Sequence, residues 1–476
     1  MEQLSGLDSM MVLGEISNVP LHMSALFIYD PSTSESGTIK YPQLTSLLHG
    51  VINSSLPMLK CRAEKVAFTL DKPYWVEDQN FNLDYHIQRF ALPQPANWAE
   101  LNELIARFHA QPLHPDRPLW QSLFIEGLDN LGDLPSGCVG MVMKIHHALA
   151  DGKTAVKIFS ELHTLSPEPT AALIAEGMDD ELPDFSSPSA IDKYSRAYWH
   201  LVSSPAKLLL NIGSIAQKML FSSNKPNAPS STIPDTPFNQ LPSADRNLGH
   251  IRLPMNDIRQ LEEISDCTIN DIAMCIIAGG LRSYLESRQQ LPDQSLVTGM
   301  PINIRSEKDK KTIGNHVSLA NLSLFTEIAD PKKRLQAISK ASTQSRQNNQ
   351  RTGPGSLLSV ADNLQPGIII WAGEKMMASG LVDKLPRLNN TIISNVPGIM
   401  APCYLAGAKL VDYLGLGPLA PTVSLFHAIS SIHSHISICF QSCSSSLEDP
   451  DAYTQALEKS YRQLKKAYGI SQRKKS

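Results

Sequence analysis

The sequence predicts an α/β protein built in two halves, and three observations carry that expectation. Cys138 to His147 alternates with the period of a strand, and Ala155, Ile158, Phe159 and Leu162 follow at the spacing of a helix. A similar mixture of strand and helix patterns resumes at His250, beyond an interval rich in Ser and Pro. The length, 476 residues, exceeds what one ordinary core organises and suits two of roughly 200 residues each.

In chain order, Leu21 to Tyr29 reads as a strand, and Pro57 and Pro73 mark turns before the acidic and aromatic segment Phe81 to Tyr85. Trp98, Leu101, Leu104, Ile105 and Phe108 recur at helical intervals until Pro118, and Gln121 to Gly127 and Cys138 to His147 follow as strands. In the last of these, Val139, Met141, Met143, Ile145 and His147 share one parity, as in a strand with one buried face. The helix after Gly152 closes a first domain, residues 1–180.

Residues 181–245 read as a connector. Asp179 to Asp184 is acidic and Ser222 to Pro242 is rich in Ser, Pro and Asn, which marks linkers on either side of Tyr194 to Phe221. That enclosed stretch carries Tyr, Trp, Leu and cations, so it fits either an interfacial helix lying on a membrane or a bridging helix packed on one domain. A second α/β domain, residues 246–476, contains a helix from Asn270 to Ser287 with Thr268 or Asn270 as its N-cap. Its strands are expected at Leu296 to Ile304, Val317 to Phe325, Thr391 to Val396 and Ile436 to Ser442, and a last helix runs through Tyr453 to Tyr468 and stops at Gly469.

Composition narrows the function. With 42% hydrophobic and 18% charged residues the chain is globular, and a net charge of -4 with a pI near 6.4 gives no reason to expect nucleic-acid binding, which requires clustered Lys and Arg. The seven cysteines are scattered without a CxxC, so neither a disulfide framework nor a thiolate metal site is indicated and a reducing, cytoplasmic setting fits. Met1 to Asn18 has no Lys or Arg, unlike a signal peptide, and no apolar run approaches the length of a membrane span.

The chemistry concentrates where a strand gives way to a helix, at His146 and His147. A neutral imidazole held there can take a proton from a hydroxyl attacking an activated acyl carbonyl and return it to the leaving group. A histidine pair alone also fits structural residues or metal ligands, and His433 with His435 fits a structural role. Asp151 can cap the following helix or orient an imidazole. No GxSxG is present, so a serine elbow is not indicated.

His146-His147-Ala148-Leu149-Ala150-Asp151-Gly152 resembles the HHxxxDG motif of the bacterial wax ester synthase/acyl-CoA:diacylglycerol acyltransferase family. Pro118-Leu119-Trp120 resembles its PLW motif, Asn270-Asp271 its ND motif, and Asn395-Val396-Pro397-Gly398 its NVPG segment. Pro20 to Met23, Trp75 to Asp78 and Gly314 to Ser318 extend the likeness along the chain. HHxxxDG alone also occurs in peptide-synthetase condensation domains and, loosely, in chloramphenicol acetyltransferase; the four motifs together are more specific. Leu113 to Asp116, where many relatives carry an LDR-type sequence, and the Ser- and Cys-rich Phe440 to Leu447 depart from the family pattern.

The resemblance implies two chloramphenicol-acetyltransferase-like domains with the active site at their interface and tunnels reaching it from opposite sides. It implies acyl transfer from acyl-CoA to a long-chain alcohol or diacylglycerol, with no further cofactor, no metal, and attachment to a membrane or lipid-inclusion surface. His147 becomes the expected base and His146 a residue that shapes the site. Asp151 is structural, paired with an arginine such as Arg305, and Gly152 lets the backbone turn closely. Asn270 is the candidate oxyanion donor, and Asn395, Pro397 and Gly398 either line an acyl or CoA channel or form a turn. A carrier-dependent condensation enzyme and an inactive lipid-binding protein are the alternatives.

Overall fold

The computed structural model describes residues 2–470 except 16–17, 133, 151, 169–184, 201, 203–232, 304–316, 352–365, 380–386 and 397. Arg305, the tail Gln472 to Ser476 and most of the expected Tyr194 to Phe221 stretch therefore lie outside the described residues. Of that stretch, the described part belongs to a helix over 190–200.

Two six-stranded sheets dominate. The first contains β2 (His22–Asp30), β5 (Ile87–Ala91), β6 (Trp120–Leu128), β7 (Cys138–His146), β12 (Tyr404–Leu405) and β13 (Ala408–Leu416), in the order β12-β13-β2-β7-β6-β5. The second orders as β10-β9-β11-β14-β15-β8, from β8 (Asn247–Pro254), β9 (Val297–Asn303), β10 (Val317–Ser323), β11 (Thr391–Asn395), β14 (Phe426–Ser431) and β15 (His435–Ser442). A small sheet joins β1 (Glu2–Gln3), β3 (Cys61–Glu64) and β4 (Tyr74–Glu77). Strands β12 and β13 come late in the chain yet complete the first sheet, with Leu414 opposite Leu26 and Tyr413 opposite Phe27.

The helices are α1 (Gly6–Leu13), α2 (Tyr41–Ser54), α3 (Leu83–His86), α4 (Trp98–Ala110), α5 (Gly152–Leu162), α6 (190–200), α7 (Met255–Ser265), α8 (Ile269–Ser287) and α9 (Pro331–Arg351), followed by Pro366–Ala378 and Pro450–Ala467. Helix α4 starts where Asn97 and Glu100 form a reciprocal capping box, and Leu101, Ile105 and Phe108 are buried at the spacing that predicted the helix. At α8, Thr268 is the N-cap in a capping box with Asp271, which leaves Asn270 free of capping duty. Gly279 and Gly280 let the C-terminal helix approach α8, since a Cβ at Gly280 would stand 2.6 Å from Leu457. Ile272 to Leu281, with Tyr284 and Leu285, is accordingly buried.

Strand β7 departs from the single buried face that its alternation predicts. It is buried along its whole length, because α4 covers the side of Val142 while the cluster around Met141 and Met143 packs on the other. Lys144, on the polar parity, is fully buried and donates from Nζ to the carbonyls of Phe108 (2.8 Å) and Gln111 (2.9 Å) at the end of α4. A cation there meets the negative end of the helix. Burial lowers its pKa to about 7.

Burial also keeps six histidines neutral. His109, His146 and His427 are pushed to about 3, His163 and His250 to about 4, and His22 well below its ordinary value, in each case chiefly by loss of solvation. In the unfolded chain these imidazoles bind protons as pH falls through about 6.5, whereas in the folded chain they do so only near the depressed values. The unfolded state thus binds more protons in that window, and stability falls with acidification. The unfolding temperature should fall modestly from pH 8 to 7, where the depressed Lys144 takes up its proton later in the folded chain than in the unfolded one, and should drop steeply from pH 6.5 to 4.5; a flat profile in the lower range would contradict the neutral histidines.

Candidate active site

The site is built from the end of β7. The strand stops at His146, so His147 leaves the strand parity and enters a turn in which the Leu149 N–H donates to the His146 carbonyl at 3.0 Å. Two other motifs hold this corner by their backbones. The His146 N–H donates to Leu119 O at 2.9 Å and the His147 N–H to Leu21 O at 2.8 Å, one from the PLW segment and one from Pro20 to Met23. Trp120 anchors the first of these; it is fully buried, donates from Nε1 to Leu59 O at 2.7 Å and stacks on His86 at 4.6 Å. Packing, not substrate contact, accounts for the tryptophan.

The two histidines are chemically unlike. His146 is buried, and its Nδ1 accepts the Ala148 N–H at 3.1 Å, which places the ring proton on Nε2. That Nε2 faces Glu15 Oε1 at 3.7 Å. Burial, and then the neighbouring His147, lower its pKa to about 3, so it stays neutral. His147, the next residue, is only half-buried. Helix α5 begins at Gly152, beyond the turn; Asp151 lies outside the described residues.

Glu15 was not legible in the sequence, being one carboxylate in an unpatterned leader. Its Oε1 also accepts the Leu21 N–H at 2.7 Å, so it ties the segment that grips His147 to the ring of His146. Burial raises its pKa. Replacing Glu15 with Ala should lower kcat by up to about 10²-fold through misplacement of the corner, with KM little changed. An unchanged kcat would show that the corner holds its shape without the carboxylate.

Behind His146, on the same face of β2 and β7, lies a buried polar group. His22 Nε2 bonds the His109 carbonyl, Ser24 Oγ bonds His109 Nδ1 at 2.7 Å, and Lys144 completes the set. The second half of the chain reaches in nearby: Arg246 donates to Asn18 O at 2.7 Å.

The other sequence candidates sit in the second half. Asn270 occupies the first turn of α8, with Nδ2 3.9 Å from Met274 Sδ and Oδ1 buried without a hydrogen-bond partner among the described residues. Asn395 is exposed at the end of β11, and Gly398 lies just beyond. A Cβ on Gly398 would fall 2.2 Å from Ser431 Oγ, so glycine is required for this close approach to β14. Pro397 is outside the described residues. His435, at 2.9 Å from Asp412, is a structural histidine.

Two α/β domains and an HHxxxDG corner together define an acyltransferase class. The model of the wax ester synthase/diacylglycerol acyltransferase catalytic domain matches residues 4–273, and that of the WS/DGAT C-terminal domain matches residues 313–465. This chain belongs to the wax ester synthase/diacylglycerol acyltransferase family. It is 27% identical over 471 residues to a protein named probable diacylglycerol O-acyltransferase tgs2 of Mycobacterium tuberculosis, covering 97% of this chain and 98% of that one.

Among solved structures, it resembles the wax ester synthase/diacylglycerol acyltransferase from Marinobacter aquaeolei VT8, with a TM-score of 0.70, 21% identity, and coverage of 98% of this chain and 100% of the other. The first condensation domain of the calcium-dependent antibiotic synthetase shares the fold at a TM-score of 0.57 and 14% identity, over 99% and 96% of the two chains. The protein is therefore an acyl-CoA-dependent O-acyltransferase whose acceptor is a long-chain alcohol, a diacylglycerol or both.

Proposed function

We propose that transfer occurs in one displacement with His147 as the general base. The observation that carries this is the division of labour within the pair: His146 is buried, neutral and held by Ala148, whereas His147, just past the end of the strand, is only half-buried. The imidazole of His147 takes the acceptor hydroxyl's proton as its oxygen attacks the thioester carbonyl carbon. The resulting tetrahedral oxyanion collapses, the C–S bond breaks, and the imidazolium returns the proton to the CoA sulfur. Ester and free CoA leave, and no cofactor is needed.

The oxyanion requires an aimed donor, worth on the order of 3 kcal/mol when present. The Asn270 amide is the proposed donor, since Thr268 rather than Asn270 caps α8. Asn395 and Gly398, with Pro397, are proposed to border the acyl or CoA channel. Asp151 is proposed to brace the turn and Gly152 to give it room.

Long-chain acceptors partition into lipid, so the enzyme is proposed to work peripherally on a membrane or lipid inclusion. Among the described residues no single helix is long and apolar enough to cross a bilayer. All seven cysteines are buried and free, which suits a reducing, cytoplasmic setting.

The test is CoA-thiol release from palmitoyl-CoA by the purified chain with hexadecanol, with dioleoylglycerol, or with neither. Release that needs an acceptor supports the proposal, and the ratio between acceptors gives the preferred product. Release only from a carrier-bound acyl group would favour the condensation-type reading.

A further inference from the structure

Helix α6 is built inside out. Lys193, Ala197 and His200, at i, i+4 and i+7, form the face that meets the protein. Lys193 Nζ pairs with Glu64 at 2.7 Å, Ala197 is 5% exposed, and His200 Nδ1 pairs with buried Asp71 at 2.9 Å. The opposite face carries Ile191, Tyr194 and Tyr198, exposed by 80%, 48% and 63%, with Trp199 beside them at 67%. A helix of a water-facing protein shows the reverse arrangement.

The same surface continues through two neighbours. Three residues before Asp71, Phe68 stands 88% exposed on a left-handed backbone (φ 56°), and Thr69 follows at φ 50°. A bulky residue in that conformation is strained, and a ring this exposed gains little burial to offset the cost. Thr69 in turn abuts Gly367, where an added Cβ would lie 3.2 Å from its Oγ1. Trp371, one helical turn after Gly367 and so on the same helix face, is 61% exposed. Apart from the two ion pairs of α6, the three segments that carry these aromatics, 64–72, 190–200 and 366–378, hold the cations Lys65, Lys72, Arg196 and Lys375 against the carboxylates Asp192 and Glu374.

We infer that α6, the Phe68 loop and the Trp371 face form one docking surface for an anionic lipid layer. Tyr and Trp suit a boundary that is apolar on one side and wet on the other, and surrounding cations suit phospholipid headgroups. Peripheral attachment was proposed above from the substrates, and this inference rests on that reading while naming the face that makes contact. The face would bring the acyltransferase to the phase in which its apolar acceptor dissolves.

The experiment is co-sedimentation of the full chain with vesicles of phosphatidylcholine and phosphatidylglycerol. The wild type is compared with a Phe68→Ser, Tyr198→Ser, Trp199→Ser variant and with Leu319→Ser, an exposed control on β10. All three proteins are also assayed for transfer from a short-chain acyl-CoA to a water-soluble alcohol, which needs no lipid surface. The triple variant should lose at least about tenfold in partitioning while the control and the soluble-substrate rates stay unchanged.

Equal sedimentation of wild type and triple variant overturns the inference. So does a lipid-free dimer of the wild type that the triple variant abolishes, because the face would then be covered by a second copy. Absence of transfer by the wild type with the soluble pair would instead count against the catalytic proposal, and vesicle binding would be judged separately.

Discussion

Replacing His147 with alanine lowers kcat/KM for acyl transfer by about 10²- to 10⁴-fold, the contribution of a positioned general base. Thermal unfolding should hardly move, because the side chain is half-buried and the corner is held by the backbone bonds to Leu21 and Leu119. His146→Ala should behave differently. That ring is buried, accepts from Ala148 and faces Glu15, so its loss should lower the unfolding temperature along with activity. Steady-state kinetics beside calorimetry separate the two. If His147→Ala retained a rate within tenfold of wild type, the base would have to be sought elsewhere.

The second large effect concerns how the halves are joined. Asp412 sits on β13 of the first sheet, wholly buried, yet its side chain meets the second sheet: His435 Nε2 at 2.9 Å and Arg252 at 3.5 Å. Arg252 in turn lies over the Trp98 ring of α4 at 5.2 Å. Burial by itself opposes ionisation of Asp412, but the hydrogen bond from His435 and the nearby charges outweigh it and hold the carboxyl below its usual range.

Asp412→Ala removes the shared partner and leaves the Arg252 guanidinium and the His435 ring facing a void, which should cost about 3 kcal/mol, at the low end because both keep some solvent access. Calorimetry should then show the two halves unfolding in separate steps. A variant with a single unshifted transition would mean that the apolar contact between the sheets, through Leu248, Cys439 and Leu414, suffices. Since the folded pKa is depressed, the wild-type contribution is fully present above the ordinary carboxylate range and fades as pH falls through the lower, folded value.

Much of this architecture was legible from local pattern. The strand ending at His146 and the helix after Trp98 were readable from their apolar spacing, although the alternation pointed to one buried face where the strand has two. The partner of a strand is another matter. The segment Ala408 to Leu416 has a strand's composition, but nothing in it tells that it leaves the second half to pair with β2. Nor does a lysine within an apolar run disclose that it is fully buried, because the carbonyls that receive Lys144 belong to a helix more than thirty residues earlier.

The site divides the same way. The histidine pair and its turn are contiguous in sequence and therefore readable, whereas Glu15 reaches His146 only through the fold. Asn270 was an ambiguous residue until Thr268 was seen to cap the helix. Asn395 and Gly398 lie at the end of β11, where close approach to Ser431 explains the glycine without defining a ligand.

Direct transfer from CoA to the acceptor is tested most directly by intact-protein mass measurement. Purified enzyme is mixed with palmitoyl-CoA, first without and then with hexadecanol or dioleoylglycerol, and quenched within one turnover. Unmodified protein in both cases, with ester and free CoA appearing together only when an acceptor is present, is the predicted result. Protein carrying a palmitoyl group that forms before acceptor is added, and that is then discharged onto it, would contradict the account and require a nucleophile in place of the His147 base.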